Sequence, residues 1–552
     1  MSTSWRPSIF LGLAVALIAT ILLFLTAGDV GVTWDEPIYI ETGLRAVHWL
    51  GLILRGDIQQ AFEPVTFGVS WGLNHEHPPL MRLVWGMGWV ITRGFVSPPL
   101  AHRVGAILFA GVGLGAMAAL IARERGPRIA LFAAAALFTA PRAFFHAHLA
   151  ALDFPLAVMW ILTTLVFYRI MKTPPEQRTL WTLLRRSLIL GGLLGLALLT
   201  KINAVLLMPF WALWLLWHRR LWRNAVMWLL SLPVAVITLV IGWPWLWKHT
   251  LRGLFAWEEF FRVHYGIPQW FAGRLYVDNT PWWGPLTIVL VTTPALLLAL
   301  AAWGARRRRD AVEPLAQWLD LQFVGMVVVL GFFALPGAHW HDGDRMLLPA
   351  LFHLTILSGE GFDALWRWIE SRQLVPFWGS ARLRAAQTAL ASLLLLPGVF
   401  GIARLHPYEL AYYNALVGGP RGAARLGFET IYFASTYGHF LPELNALPPN
   451  SKVWVMPNSY DVLYYYQLNG LLRPDLVMLR PPGWGSFYDD AGVNRAEGWI
   501  DDADAALIER RQTAFNTQLP NHDRIVWWAE HAPERARLER AGVVLATLHL
   551  RP

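Results

Sequence analysis

The chain has 552 residues, 55% of them hydrophobic and only 15% charged, a balance that excludes an ordinary water-soluble domain and puts most of the polypeptide in lipid. Its formal charge of +9 comes from arginines in short clusters between apolar runs, which reports loop orientation across a membrane and not nucleic-acid binding. Cysteine is absent, so disulfides, thiolate catalysis and thiolate metal sites are excluded.

The first apolar run follows Arg6. It is longer than the core of a secretory signal and lacks a clear small-residue cleavage site, so it is read as a retained helix over 8–27. Further runs approaching the ~20 residues that cross a bilayer predict spans near 100–122, 128–145, 153–171, 187–200, 203–218, 224–242, 284–304, 317–336, 344–360 and 386–404, about eleven with the first. The basic clusters are Arg123, Arg125 and Arg128; Lys172, Arg178, Arg185 and Arg186; Arg219, Arg220 and Arg223; Arg306 to Arg309; and Arg367, Arg372, Arg382 and Arg384. Each belongs on the cytoplasmic side, which puts the N-terminus inside and the end of the last span outside.

The segment 80–92 is apolar but short and carries Arg82 and glycines, which suits an interfacial or re-entrant helix. Were it to cross, every later arginine cluster would face the wrong way. The loops 28–99 and 243–283 are then external, the second rich in tryptophan as expected at the headgroup boundary. Together 1–404 reads as a transmembrane domain. From 405 to 552 no spanning run appears. Strands are predicted at 452–456, 476–479, 524–528 and 543–548, and helices at 460–468, 502–518 and 533–541. The expected product is a small extracytoplasmic α/β domain with a mostly parallel sheet.

Polar residues at the outer helix ends carry the candidate chemistry. In Thr33-Trp34-Asp35-Glu36-Pro37 two adjacent carboxylates follow a span, where they are costly unless hydrated, paired or used. Asp35 equally fits a helix N-cap with Pro37 at the first turn, and both readings stand. In Asn74-His75-Glu76-His77-Pro78-Pro79 the alternate histidines lack the spacing of a helical zinc site, which favours a polar turn. Asp35, Glu36, His75 and His77 are nonetheless the set that could gather a divalent metal; no other cofactor is implied. Asp153, Lys201 and Arg345 also sit at outer boundaries. Arg103 lies within an apolar span and needs a polar cavity. Carboxylates on one side of such a cavity and cations on another suit transfer away from a phosphate leaving group.

The strings Trp34-Asp35-Glu36, His77-Pro78-Pro79-Leu80, Arg103, Asp153-Phe154-Pro155-Leu156-Ala157, Leu198-Leu199-Thr200-Lys201 and Arg345-Met346-Leu347-Leu348-Pro349 occur in the order seen in the protein O-mannosyltransferase and aminoarabinose transferase group. The sequence resembles that group over nearly all of its membrane part. His406-Pro407-Tyr408-Glu409-Leu410-Ala411-Tyr412-Tyr413-Asn414 is similar to bacterial family 39 glycosyltransferases, although their Asp-Trp-Gly-Gln string is replaced by Phe428-Glu429-Thr430-Ile431-Tyr432.

The resemblance implies a C-type glycosyltransferase fold and a polytopic cell-membrane enzyme. It implies transfer of a monosaccharide from a polyprenyl-phosphate carrier to an extracytoplasmic acceptor. It also implies roles: Asp35 as catalytic base, Glu36 seating the acceptor, and Asp153 as second acid. Lys201 and Arg345, with Arg103 and His77, would line the lipid-phosphate region. His264 matches the histidine of the long external loop, but the arginine that usually follows is missing, with Gln269 nearby. A transporter or flippase for a lipid-linked sugar is the rival reading. It predicts polar residues near the bilayer midplane and paired interrupted repeats, and no internal repeat is evident.

Overall fold

The computed structural model describes residues 5–262, 267–277, 280–338, 340–373, 379–517 and 521–552. Among these, seven helices are long and apolar enough to cross a membrane: Arg6–Thr26, Leu100–Arg125, Asp153–Met171, Leu180–Thr200, Arg219–Gly242, Leu315–Phe333 and Ser380–Leu405. Two bent pairs raise the number to nine: Pro127–Phe138 with Pro141–His148, at 76°, and Gly284–Thr292 with Ala295–Arg309, at 119°. Each break falls beside a proline, Pro141 or Pro294, which has no N–H to continue the helical ladder.

The count is below the eleven read from the sequence, for two reasons. The run 203–218 forms only the short helix Ile202–Trp217, and the run 344–360 becomes Leu348–Ser371, a helix buried through most of its length that carries Glu360 and Asp363. Leu80–Thr92 is a short helix of 13 residues. It packs so closely on Leu100–Arg125 that a Cβ on Gly88 would stand 2.5 Å from the Gly105 nitrogen.

Chain geometry gives the bundle two chemically different ends. From Asp153 to Lys172 the helix rises roughly 28 Å at 1.5 Å per residue, close to the thickness of the hydrocarbon core. At the Lys172 end the basic clusters are paired: Arg169 and Lys172 with Glu124 (2.8 and 3.1 Å), Arg125 with Glu360 (2.6 Å), Arg128 with Asp363 (3.0 Å) and Arg308 with Asp320 (2.6 Å). At the Asp153 end lie the first loop and the C-terminal residues. The outer helices present apolar side chains outward, including Phe10, Leu13, Leu17, Val236, Ile241 and Phe400. Such a surface is stable only in lipid.

A two-stranded antiparallel hairpin, β1 (Gln269–Phe271) and β2 (Arg274–Tyr276), lies in the second long loop. The C-terminal sheet has six strands: β3 (Lys452–Met456), β4 (Val477–Arg480), β5 (Arg495–Glu497), β6 (Ala505–Glu509), β7 (Glu534–Arg540) and β8 (Val543–Leu550). Their order is β5-β4-β3-β6-β8-β7, parallel from β5 to β6 and antiparallel from β6 onward.

Three expectations for this region are corrected. The segment 502–518 holds strand β6, five buried residues whose two alanines read as helix formers but which pair on both sides. The segment 524–528 lies in the helix His522–His531, which buries Ile525, Trp528 and Ala529 on one face. The segment 533–541 is edge strand β7; its charges suggested an exposed helix but blunt a sheet edge instead.

This sheet does not stand apart from the membrane part. One apolar core joins Val30, Val32 and Tyr39 of the first loop to Phe145, to Leu405–Tyr412 and to Tyr437, Tyr464, Tyr465 and Leu507. The Tyr466 hydroxyl accepts from the Val32 N–H at 2.7 Å, and the Phe433 carbonyl accepts from the Trp34 N–H at 2.8 Å.

Candidate functional site

The helix Glu36–Arg55 starts with Pro37 in its first turn and Asp35 at its N-cap, but the Asp35 side chain makes no cap hydrogen bond. It turns to Arg345, whose Nη1 lies 2.6 Å from Asp35 Oδ2. Arg345 comes from the turn before Leu348–Ser371. Its other nitrogen, Nη2, meets Asp342 Oδ2 at 3.1 Å and donates to His341 Nε2 at 2.6 Å. Because arginine only donates, His341 is an acceptor there and neutral, in keeping with burial and the Arg345 charge pushing it down to about 3. Asp153, first residue of its helix, stands 3.8 Å from Arg345 Nη1 through Oδ2 and 2.5 Å from Lys201 Nζ through Oδ1. Lys201 reaches it because the backbone leaves the helix there, with φ −160° between Leu180–Thr200 and Ile202–Leu206.

The result is an alternating chain of charge: Lys201, Asp153, Arg345, Asp35 and Asp342, extended by Arg511, whose Nη2 lies 2.7 Å from Asp342 Oδ1. Five of these six groups, all but Asp153, line a cavity of about 660 Å³ together with His77, Glu76, Trp34, Tyr39 and Glu258. That volume suits a small-molecule headgroup. The opposite lining is apolar: Val205, Leu206, Phe332, Phe333, Leu335 and Met346. It comes from the short helix Ile202–Trp217, the end of Leu315–Phe333 and the turn that carries Arg345, and Val205 and Leu335 are exposed. A cavity lined by charged residues and by exposed apolar ones can accept a charged head on a hydrocarbon tail.

Protonation follows from these contacts. Burial raises the Asp35 carboxyl, and Asp342 and Asp153 reinforce the shift; Arg345, shared among all three, opposes it without cancelling it. Burial also pushes Asp342 up, but Arg511 and Arg345 on either side bring it down to about 2. Burial, with Lys201 and Arg82 nearby, lowers His77 to about 3, so its imidazole is neutral.

Asp35, Lys201, Arg345 and His77 line the cavity, Asp153 joins them through its contacts with Lys201 and Arg345, and two residues do not join them. Glu36 and Arg103 lie outside the cavity lining and are fully enclosed. Arg103 Nε and Nη2 bind both Glu36 oxygens at 2.7 and 2.6 Å. The remaining donors go to the carbonyls of Ala27 (3.0 Å), Val30 (2.6 Å) and Gly31 (2.8 Å). Glu36 further accepts from the N–H groups of Thr33 (2.9 Å) and Ala150 (3.0 Å). With every donor taken, Arg103 has none for a phosphate and Glu36 no face for an acceptor. The pair anchors the loop that presents Asp35.

His75 stacks on Trp245 with ring centroids 4.6 Å apart, while Glu76 and His77 face the cavity. Arg82 holds the turn by donating to the carbonyls of Leu73 (3.3 Å), Asn74 and His77 (2.8 Å). Among the described residues no three acidic or histidine side chains gather as a metal site. His264 lies outside the described residues.

Sequence reasoning missed Asp342, His341 and Arg511. The first two stand in Trp340-His341-Asp342-Gly343-Asp344-Arg345, a polar run at a predicted membrane boundary that was legible in principle. Arg511 gave no signal, since 505–511 read as helix and its neighbour Arg510 is equally charged.

Comparison with known proteins adds the fold and a partial sequence likeness. The profile of the dolichyl-phosphate-mannose-protein mannosyltransferase family matches residues 76–246. The undecaprenyl phosphate-alpha-4-amino-4-deoxy-L-arabinose arabinosyl transferase 1 of Pseudomonas fluorescens (strain Pf0-1) is 26% identical over 231 residues. That stretch is 41% of this chain and 38% of the relative, well under two thirds of its length. The crystal structure of ArnT from Cupriavidus metallidurans in the apo state superposes with TM-score 0.52 at 16% identity, covering 99% of this chain and 98% of that one. The same protein bound to undecaprenyl phosphate gives 0.52 at 17%, with the same coverage. The chain is a multi-pass membrane protein with the C-type glycosyltransferase fold, as the resemblance implied.

Proposed function

We propose that this protein is an inverting glycosyltransferase that moves one monosaccharide from a polyprenyl-phosphate carrier to a hydroxyl group of an extracytoplasmic acceptor. The observation that carries the reading is the shared arginine: Arg345 lines a cavity with a partly apolar wall and stands between Asp35 and the Asp153–Lys201 pair. The family profile and the arabinosyl transferase relative point the same way.

In this reading the donor's phosphate sits on Arg345 and Lys201, arginine as a fork and lysine as a point charge. The isoprenoid tail leaves between Val205–Leu206 and Phe332–Leu335. The acceptor oxygen attacks the anomeric carbon from the face opposite the phosphate. The bond from that carbon to the phosphate oxygen breaks, and its electrons stay on the leaving polyprenyl phosphate. Asp35 takes the hydroxyl proton. Donor phosphate competes with Asp35 for Arg345, so binding loosens the base from its counter-ion when it is needed. In this reading the Asp35 end and the segment 405–552 lie outside the cell membrane and the N-terminus inside, which the positive-inside bias of the arginine clusters supports.

The test is release of polyprenyl phosphate from a panel of lipid-linked monosaccharides by the purified chain, with acceptors from an envelope extract. The native protein should release it. Asp35→Asn should lose at least about 100-fold in turnover, the low end for a general base. Lys201→Ala should also fall. Transport of the lipid-linked sugar across reconstituted bilayers without any release would establish the flippase reading instead.

A further inference from the structure

Arg511 is the only cavity-lining cation among the described residues that comes from the C-terminal sheet region, two residues beyond strand β6. It is only 7% exposed, and its guanidinium stands 5.4 Å from the Trp34 ring. Two neighbouring acids fix its surroundings without binding it. Glu509 accepts from Ala434 N–H (3.2 Å) and the Thr436 hydroxyl (2.8 Å), and Glu429 accepts from Thr513. The described carboxylate that Arg511 does bind is Asp342.

Asp342 is in the left-handed region at φ 54°, which aspartate tolerates better than most residues. It lies between two cations, Arg511 on Oδ1 and Arg345 on Oδ2.

The charge count explains why. Lys201 and Arg345 face Asp35, Asp153 and Asp342, so without Arg511 the cluster carries an excess negative charge, and Asp342 draws on the Arg345 fork. An incoming phosphate would be repelled by the first effect and deprived of its ligand by the second. Arg511 offsets one of these negative charges and takes one oxygen of Asp342, so that Arg345 Nη1 remains for Asp35 or for an anion.

We infer that Arg511 is a positioning residue of the phosphate site: by neutralising Asp342 it leaves Arg345 available to the anionic headgroup of the lipid donor. The inference rests on the reading of the cavity as a lipid-phosphate site. It gives the C-terminal segment a part in donor binding.

The experiment measures binding of a polyprenyl monophosphate to the full-length protein in detergent, together with donor KM and kcat. Arg511→Ala should weaken binding and raise donor KM about tenfold, the order expected for one uncompensated charge in a partly desolvated site, while kcat at saturation changes less. Arg511→Lys should recover part of the affinity. The double variant Asp342→Asn/Arg511→Ala removes both charges and should return affinity to near the native value. Failure of the double variant to recover, with the protein folded, would mean that Arg511 touches the ligand directly and would overturn the indirect role. Unchanged binding in Arg511→Ala would overturn any role at this site. If the native chain itself binds no lipid phosphate, the donor reading falls and takes this inference with it.

Discussion

Asp35 and Glu36 are adjacent in sequence, and each meets a buried arginine, yet the two pairs are opposite kinds of structure. Around Glu36–Arg103 every donor is spent on the pair itself and on three backbone carbonyls, with no exposed side-chain surface. Around Asp35–Arg345 the carboxylate is partly open to the cavity, and Arg345 Nε is buried with no hydrogen-bond partner among the described residues. A closed pair can only be broken, and breaking it strands a charge. An open pair can exchange a protein partner for a substrate one. What separates structure from function here is not residue type or burial but whether bonding capacity is left over.

The comparison can be broken most decisively by neutralising each acid in turn. Asp35→Asn should cost ~10²- to 10⁴-fold in turnover with an unfolding temperature within a few degrees of native. Glu36→Gln should show the reverse: ~3 to 5 kcal/mol of stability lost, seen as poor yield and early unfolding, while surviving folded protein keeps its donor KM. If Asp35→Asn unfolds the chain, or Glu36→Gln abolishes turnover in a stable protein, the distinction between the pairs collapses.

A smaller effect sharpens it through pH. The Asp35 carboxyl is raised above its ordinary 3.8, and a base must be ionised. Turnover should therefore fall on acidification along a limb centred above pH 3.8. Glu36 is shifted the other way: burial opposes the charge, but Arg103 and the N–H groups of Thr33 and Ala150 outweigh it. Its folded value lies below 4.5, so its stabilisation is complete above pH 4.5 and lost only as pH falls through that lower value. Acid should thus lower turnover through Asp35 and loosen the loop through Glu36, two separate groups. Turnover that stays flat on acidification would contradict the role of Asp35, and an acid-induced loss of stability unchanged in Glu36→Gln would contradict the role of Glu36. The smallest change expected is at Trp34, 45% exposed beneath Arg511. Trp34→Ala should weaken donor binding about two- to fivefold, the range of an exposed cation–π contact.

The sequence made the membrane helices legible because apolar length is the dominant energy in lipid, and it marked Asp35, Asp153, Lys201 and Arg345 because charge at a boundary is costly. It could not tell which way a charge faces. Glu36 and Arg103 carry the same cost as Asp35 and Arg345, and only the fold reveals that they meet each other over a sequence separation of 67 residues. In the C-terminal sheet, strands β3 and β8 were legible as apolar β-branched runs. The charged edge β7 and the alanine-rich β6 were set by pairing partners that no local pattern records.

The hydrogen bond from Val32 to Tyr466 joins positions 434 residues apart. At ribosomal rates of ~5 to 20 residues per second, the nascent chain waits on the order of half a minute to more than a minute between making the loop that holds Asp35 and making the tyrosine that binds it. Nearly all the membrane helices are in the bilayer by then. The cavity is consequently a late product of biosynthesis, and a chain that stalls or is clipped before residue 433 lacks Phe433 and Arg511 from its lining. Quality control of this protein can therefore be read at a single place: whether the last fifth of the chain has docked on the first loop.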